Sequence, residues 1–86
     1  MKKLTVFILE NCPFCRRARA WMDELIKENP AFAEIEIEFV DEKIERERAE
    51  AMDYYYVPCF FDSTGKKLHE GAASKKIIER IFNKVM

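Results

Sequence analysis

Leu4-Thr5-Val6-Phe7-Ile8-Leu9, then Glu10-Asn11, then Cys12-Pro13-Phe14-Cys15 is the stretch whose reading decides the fold. The first six residues form a nearly continuous apolar, β-rich run that is too short for a helix of useful length. It reads as a strand buried on both faces. Asn11-Cys12-Pro13 reads as a helix start, because proline is well tolerated at the first helical position, where its missing N–H takes nothing from the hydrogen-bond ladder. Phe14, Ala18, Trp21, Met22 and Leu25 follow at helical spacing and give the helix one apolar face. Its end is expected near Asn29-Pro30, since the residue before a proline avoids α geometry.

Two cysteines with two residues between them, at a strand-to-helix junction, carry the chemistry. Cys12 stands at the helix N-terminus, where unpaired N–H groups point outward. A thiolate there gains from those donors and from the helix dipole, the latter by at most ~2 kcal/mol. Cys15 lies one helical turn on, near Cys12 but further into the structure, and can attack a mixed disulfide formed on Cys12. A Cys-x-x-Cys beside a βαβ pattern is the general signature of thioredoxin-like redox chemistry. A pair of plain core cysteines would suit Cys15 but not Cys12, which belongs to an exposed turn. A zinc site needs four ligands, and beyond the pair only Cys59 and His69 are candidates.

Outward from this motif, Ile35, Ile37 and Phe39 alternate with Glu34, Glu36 and Glu38, which reads as a strand with one polar face at a sheet edge, ended by Asp41. From Glu42 to about Tyr55 the sequence predicts a charged helix with Ile44, Ala51, Met52 and Tyr55 on one side and a solvated face of Glu and Arg. Pro58 opens a short apolar strand, Cys59-Phe60-Phe61. Asp62-Ser63-Thr64-Gly65 is a turn, and Lys66 to Glu70 makes the return strand. Gly71-Ala72-Ala73-Ser74 is a second turn, with Ser74 placed to cap a last helix whose buried face is Ile77, Ile78, Ile81, Phe82 and Val85. The order is β-α-β-α-β-β-α. Strands one and two are expected to be parallel by the right-handed crossover rule. The fold class is α/β, a four-stranded mixed sheet with helices on both faces.

At 86 residues the chain is expected to be one domain, 1–86. Its net charge of −1 excludes the basic balance of a dedicated nucleic-acid binder. No apolar run approaches the ~18 residues of a membrane span. The start, Met1 to Leu9, resembles the front of a signal peptide, but the apolar run is short and no small-residue cleavage site follows, so it reads as a charged lead-in to the first strand. An odd number of cysteines, 3, does not fit a closed disulfide framework. Together these features point to a reducing compartment, the cytoplasm.

Beyond the bare motif, Val6-Phe7-Ile8 followed by Cys12-Pro13-Phe14-Cys15-Arg16-Arg17-Ala18 resembles the active-site strand and helix of glutaredoxins. Tyr56-Val57-Pro58 resembles their Thr-Val-Pro, whose proline is cis, and Gly71-Ala72-Ala73-Ser74 sits where they carry a Gly-Gly turn before the last helix. The resemblance covers essentially the whole chain. It implies a thioredoxin fold, with Cys12 as nucleophile and Cys15 as resolving thiol. It also implies a substrate groove lined by Pro13, Phe14, Tyr56, Val57, Pro58, Gly71, Ala72, Ser74 and Lys75. The implied substrates are disulfide-containing proteins or glutathione mixed disulfides, with glutathione or a thioredoxin-type reductase as electron donor. No bound cofactor and no metal are expected, and the chain is expected to be a monomer. An alternative drawn from the same family is a carrier module in which two chains bridge an iron–sulfur cluster through Cys12 and glutathione; Pro13 and the second thiol favour the dithiol enzyme. Three positions depart from the family pattern. Leu9 replaces a basic residue three places before the nucleophile and is followed by Glu10. Ala72 replaces the second glycine, and Lys75 reverses the charge of the usual acidic residue. All three weaken the inherited glutathione contacts. Cys59, directly after Pro58, reads either as a buried strand thiol or as a third thiol within reach of Cys12.

Overall fold

The computed structural model describes residues 2–86, so Met1, the first residue of the charged lead-in, lies outside the described residues. In chain order the elements are β1 (Lys3–Ile8), α1 (Pro13–Glu28), a 3-10 helix (Pro30–Glu34), β2 (Glu36–Asp41), α2 (Arg46–Glu50), β3 (Cys59–Asp62), β4 (Lys67–Glu70) and α3 (Lys75–Val85). The strands form one sheet in the order β2-β1-β3-β4. β1 pairs parallel to β2 and antiparallel to β3, and β3 pairs antiparallel to β4. The nearly unbroken apolar run of β1 is thus explained by its place inside the sheet, covered on both faces. β2, with its alternating glutamates, is an edge strand as its pattern predicts.

The two faces carry separate cores. Leu4, Val6, Ile8 and Phe60 pack against Cys15, Ala18, Met22 and Leu25 of α1 and against Ile78, Ile81, Phe82 and Val85 of α3. On the opposite face Phe7, Val40, Cys59 and Phe61 form a smaller core, closed by Ala49, Met52 and Tyr54. Helices cover both faces, as a thioredoxin fold requires. Side chains alternate between the two cores along each strand, so Val6 and Phe7, or Cys59 and Phe60, look in opposite directions.

Local chemistry explains the boundaries. Pro13 opens α1 with Cys12 as its N-cap, and Asn29 ends it in an extended conformation. The Asn29 side chain then accepts from the Ala31 N–H and starts the 3-10 helix, which drops Phe32 onto Phe82 with ring centroids 5.1 Å apart. Ser74 caps α3 by accepting from the Ile77 N–H. Lys75, in the first turn of α3, reaches across to Glu24 and Glu28 of α1 at 2.7 and 2.6 Å. It ties the two helices together. On the outer sheet face Glu38 meets Arg48 at 2.8 Å and Lys3 at 3.5 Å, and the arginine holds its carboxyl down at about 2.

One element is much shorter than its pattern suggests. The charged helix expected over Glu42 to Tyr55 is a single five-residue turn, Arg46–Glu50. Its N-terminal part is taken by a turn in which the Asp41 side chain accepts from the Lys43 N–H and the Asp41 carbonyl from those of Ile44 and Glu45. Ile44 and Tyr55, assigned to an apolar face, are 80% and 86% exposed.

Candidate active site

Cys12 caps α1 directly. Its sulfur accepts the Cys15 N–H at 3.1 Å, one of the donors that an α-helix leaves unpaired at its start. The Cys12 thiol also faces the Val57 carbonyl, with 3.9 Å between sulfur and oxygen. Cys12 is half-buried, whereas Cys15 is 2% exposed, packed under α1. Burial pushes the Cys15 thiol up to about 12, and its hydrogen bond with Cys12 acts in the same direction. One sulfur is reachable and the other is sealed beneath it.

The wall opposite Cys12 is the loop before β3. The Val57–Pro58 bond is cis, and Pro58 is fully buried. Tyr56 turns its ring outward, 69% exposed, and Phe14 at the start of α1 is 51% exposed. Phe14 is therefore not part of the apolar face of α1, where its spacing had placed it; Cys15 fills that role. A cavity of about 300 Å³ beside Cys12 is lined by Leu9, Glu10, Asn11, Lys43 and Val57. A second, of about 320 Å³, lies between Phe14, Arg17 and Trp21 of α1 and the turn Ala72-Ala73-Ser74. A third cavity, of about 630 Å³, shares Leu9 and Lys43 with the first and runs along Arg46, Met52, Tyr54 and Tyr55.

The residues named from sequence are thus brought together with two exceptions. Val57 faces Cys12, flanked in its loop by Tyr56 and Pro58, Pro13 and Phe14 follow Cys12 at the start of α1, and Phe14 shares the second cavity with Ala72 and Ser74. Gly71 adopts a φ of +90°, which favours glycine, and its N–H donates to the Pro58 carbonyl at 2.8 Å. Lys75 lines none of these cavities: its ammonium is occupied by Glu24 and Glu28, which removes it as a ready ligand contact. Cys59 is not beside Cys12 either. It is fully buried in the other core, paired in register with Phe7, and the sheet stands between it and the pair. Lys43 was not singled out from sequence. It makes no ion pair among the described residues and brings a cation to the cavity that holds Cys12. Glu70 also escaped notice: Lys67 and the N–H groups of Tyr55 and Tyr56 hold its carboxyl down at about 2. Among the described residues no group of three His, Cys, Asp or Glu side chains could hold a metal ion, and no helix is long and apolar enough to cross a membrane.

The buried thiols predict an alkaline weakness. Cys15 and Cys59 are both raised to about 12, chiefly by burial, so the folded state holds their protons more tightly than the unfolded chain. That stabilisation is complete below the ordinary thiol range and is lost as pH climbs toward 12. Tyr54, half-buried and donating to Glu42, shifts the same way. Denaturant titrations of the reduced protein are expected to show stability falling between pH 9 and 12, with each thiol contributing a slope of about 1.4 kcal/mol per pH unit. Cys59→Ala removes one thiol's share of that slope. A slope the same in both proteins would refute the assignment.

The glutaredoxin family model matches residues 4–65. No curated protein matches the chain. Since the family match spans more than half of the chain and takes in β1, both cysteines of the α1 cap and the loop that faces them, the chain belongs to the glutaredoxin family.

Proposed function

We propose that this protein is a dithiol oxidoreductase that reduces protein disulfides or glutathione mixed disulfides through Cys12 and Cys15. The observation that carries the reading is the contrast between the two sulfurs: Cys12 is accessible and holds a helix N–H at 3.1 Å, while Cys15 is sealed beneath it. The Cys12 thiolate attacks one sulfur of the substrate disulfide. The sulfur–sulfur bond breaks, a mixed disulfide forms on Cys12, and the first substrate thiolate leaves. Cys15 gives up its proton and attacks the Cys12 sulfur. The second substrate thiolate leaves, and a Cys12–Cys15 disulfide remains. The substrate gains two electrons and the protein loses them. Glutathione or a thioredoxin-type reductase restores the dithiol. A reducing compartment, the cytoplasm, suits three unbridged cysteines.

The substrate edge is the backbone of Val57, whose N–H makes no hydrogen bond among the described residues and whose carbonyl faces Cys12. An extended peptide flanking a disulfide can pair there. The test is a reduction assay run in parallel with glutathione plus its reductase and with thioredoxin reductase, offering a peptide disulfide and a glutathione mixed disulfide. Turnover is expected with at least one donor. No turnover with either donor, on either substrate, would overturn the proposal.

A further inference from the structure

The loop that carries Val57 poses a physical question. Between α2 and β3 it has no regular secondary structure, and the rings of Tyr55 and Tyr56 are 86% and 69% exposed. Two aromatic side chains that bury so little cannot hold a backbone in place by packing. Tyr54 and Pro58 anchor the loop on either side by packing into the interior, but the Tyr55-Tyr56 stretch between them needs another hold, because the peptide edge at Val57 is useful only if it is already in place when substrate arrives.

Glu70, the last residue of β4, does this. One carboxylate oxygen accepts the N–H groups of both Tyr55 and Tyr56, the latter at 2.9 Å. The other accepts from the Lys67 ammonium at 2.7 Å, and Lys67 also donates to the Asp53 carbonyl at 3.1 Å. The Gly71 N–H closes the far end of the loop on the Pro58 carbonyl. The loop is therefore pinned at Asp53, Tyr55, Tyr56 and Pro58 by the end of a single strand. That strand is in register with the active-site wall, since Glu70 pairs with Cys59, the residue after Pro58. The arrangement also leaves one position open. With the donors of Tyr55 and Tyr56 taken by the carboxylate, the peptide groups left beside Cys12 are those of Val57.

We propose that Glu70 is a positioning residue for the disulfide substrate: its carboxylate fastens the backbone of Tyr55 and Tyr56 and so presents Val57 to a peptide disulfide bound at Cys12. This rests on the oxidoreductase reading above. Hydrogen bonds to an ionised acceptor are roughly twice as strong as neutral ones, which suits a carboxylate to hold two amides at once.

The test compares the full chain with Glu70→Ala and Glu70→Gln by amide hydrogen exchange and by steady-state reduction of a peptide with one internal disulfide. In Glu70→Ala the Tyr55 and Tyr56 amides are expected to exchange about tenfold faster, and KM to rise about tenfold with kcat changed less than about twofold. Amides of α1 and β1 should stay as protected as before. Glu70→Gln keeps an oxygen that can accept both amides, and should recover most of the loss in KM. Tyr55 and Tyr56 amides that exchange no faster in Glu70→Ala, or an unchanged KM once they are freed, would overturn the proposal. So would a loss confined to kcat that follows the folded fraction. If Glu70→Ala does not fold, Glu70→Gln decides: exchange at those two amides must still quicken, by about twofold or more. A wild-type protein that reduces neither this peptide nor a glutathione mixed disulfide would remove the oxidoreductase reading, while the exchange experiment would still judge the clamp; one that reduces only the glutathione mixed disulfide would overturn the role of Glu70 toward a peptide substrate.

Discussion

Replacing Cys12 with serine is expected to abolish disulfide reduction, with a fall in rate of about a thousandfold or more, because a neutral hydroxyl is a far weaker nucleophile than a thiolate. The loss should be chemical and not a failure to fold. Position 12 is the N-cap of α1, and serine is among the best N-cap residues. Its oxygen can accept the Cys15 N–H as the sulfur does, so helix content and thermal midpoint should match or exceed those of the parent. Protein-disulfide reduction that persists in Cys12→Ser would remove the assignment of the nucleophile.

The second large effect is expected from Cys15→Ser. Intramolecular attack by a thiol held one helical turn from the mixed disulfide replaces a bimolecular step, and such proximity is worth orders of magnitude in rate. Without it, the Cys12 mixed disulfide waits for a thiol from solution. Protein-disulfide reduction should fall by about a hundredfold or more, while reduction of glutathione mixed disulfides by external glutathione should continue in part. A trapped covalent complex with a protein substrate should accumulate and be visible on a non-reducing gel. Full dithiol activity in Cys15→Ser would contradict the division between an accessible and a sealed sulfur.

Much of the fold was legible because its signals are local. The unbroken apolar run of β1, the alternating glutamates of β2, Pro13 and Ser74 at helix starts and Asn29-Pro30 at a helix end each depend on neighbours within a few residues. The Cys12–Cys15 pair was legible for the same reason: its spacing and its place at a helix N-terminus are both written in one stretch. What escaped depends on contacts distant in sequence. Ile44, Ala51, Met52 and Tyr55 have helical spacing, yet the helix cannot extend through them. Asp41 claims the N–H groups at its start, and Glu70, fourteen and fifteen residues on, claims those of Tyr56 and Tyr55 beyond its end. Lys75 matched a ligand-binding position by alignment of motifs, but its partners Glu24 and Glu28 lie 51 and 47 residues away, and only the packing of α1 on α3 brings them together. The short 3-10 helix at Pro30–Glu34 has too few residues to show a period. Cys59 could be settled only once the register of β3 on β1 placed it opposite Phe7. Strand alternation then puts it on the α2 side, away from Cys12.

The central claim is that Cys12 and Cys15 act as one redox unit from which Cys59 is excluded. Mixing the fully reduced protein with one equivalent of a peptide disulfide, quenching with an alkylating reagent and mapping the cysteine peptides by mass tests it most directly. The expected result is a Cys12–Cys15 bridge, the protein lighter by two hydrogens, the substrate reduced, and Cys59 alkylated only after unfolding. A substrate adduct that persists on Cys12 with Cys15 still free, or a bridge that includes Cys59, would contradict it.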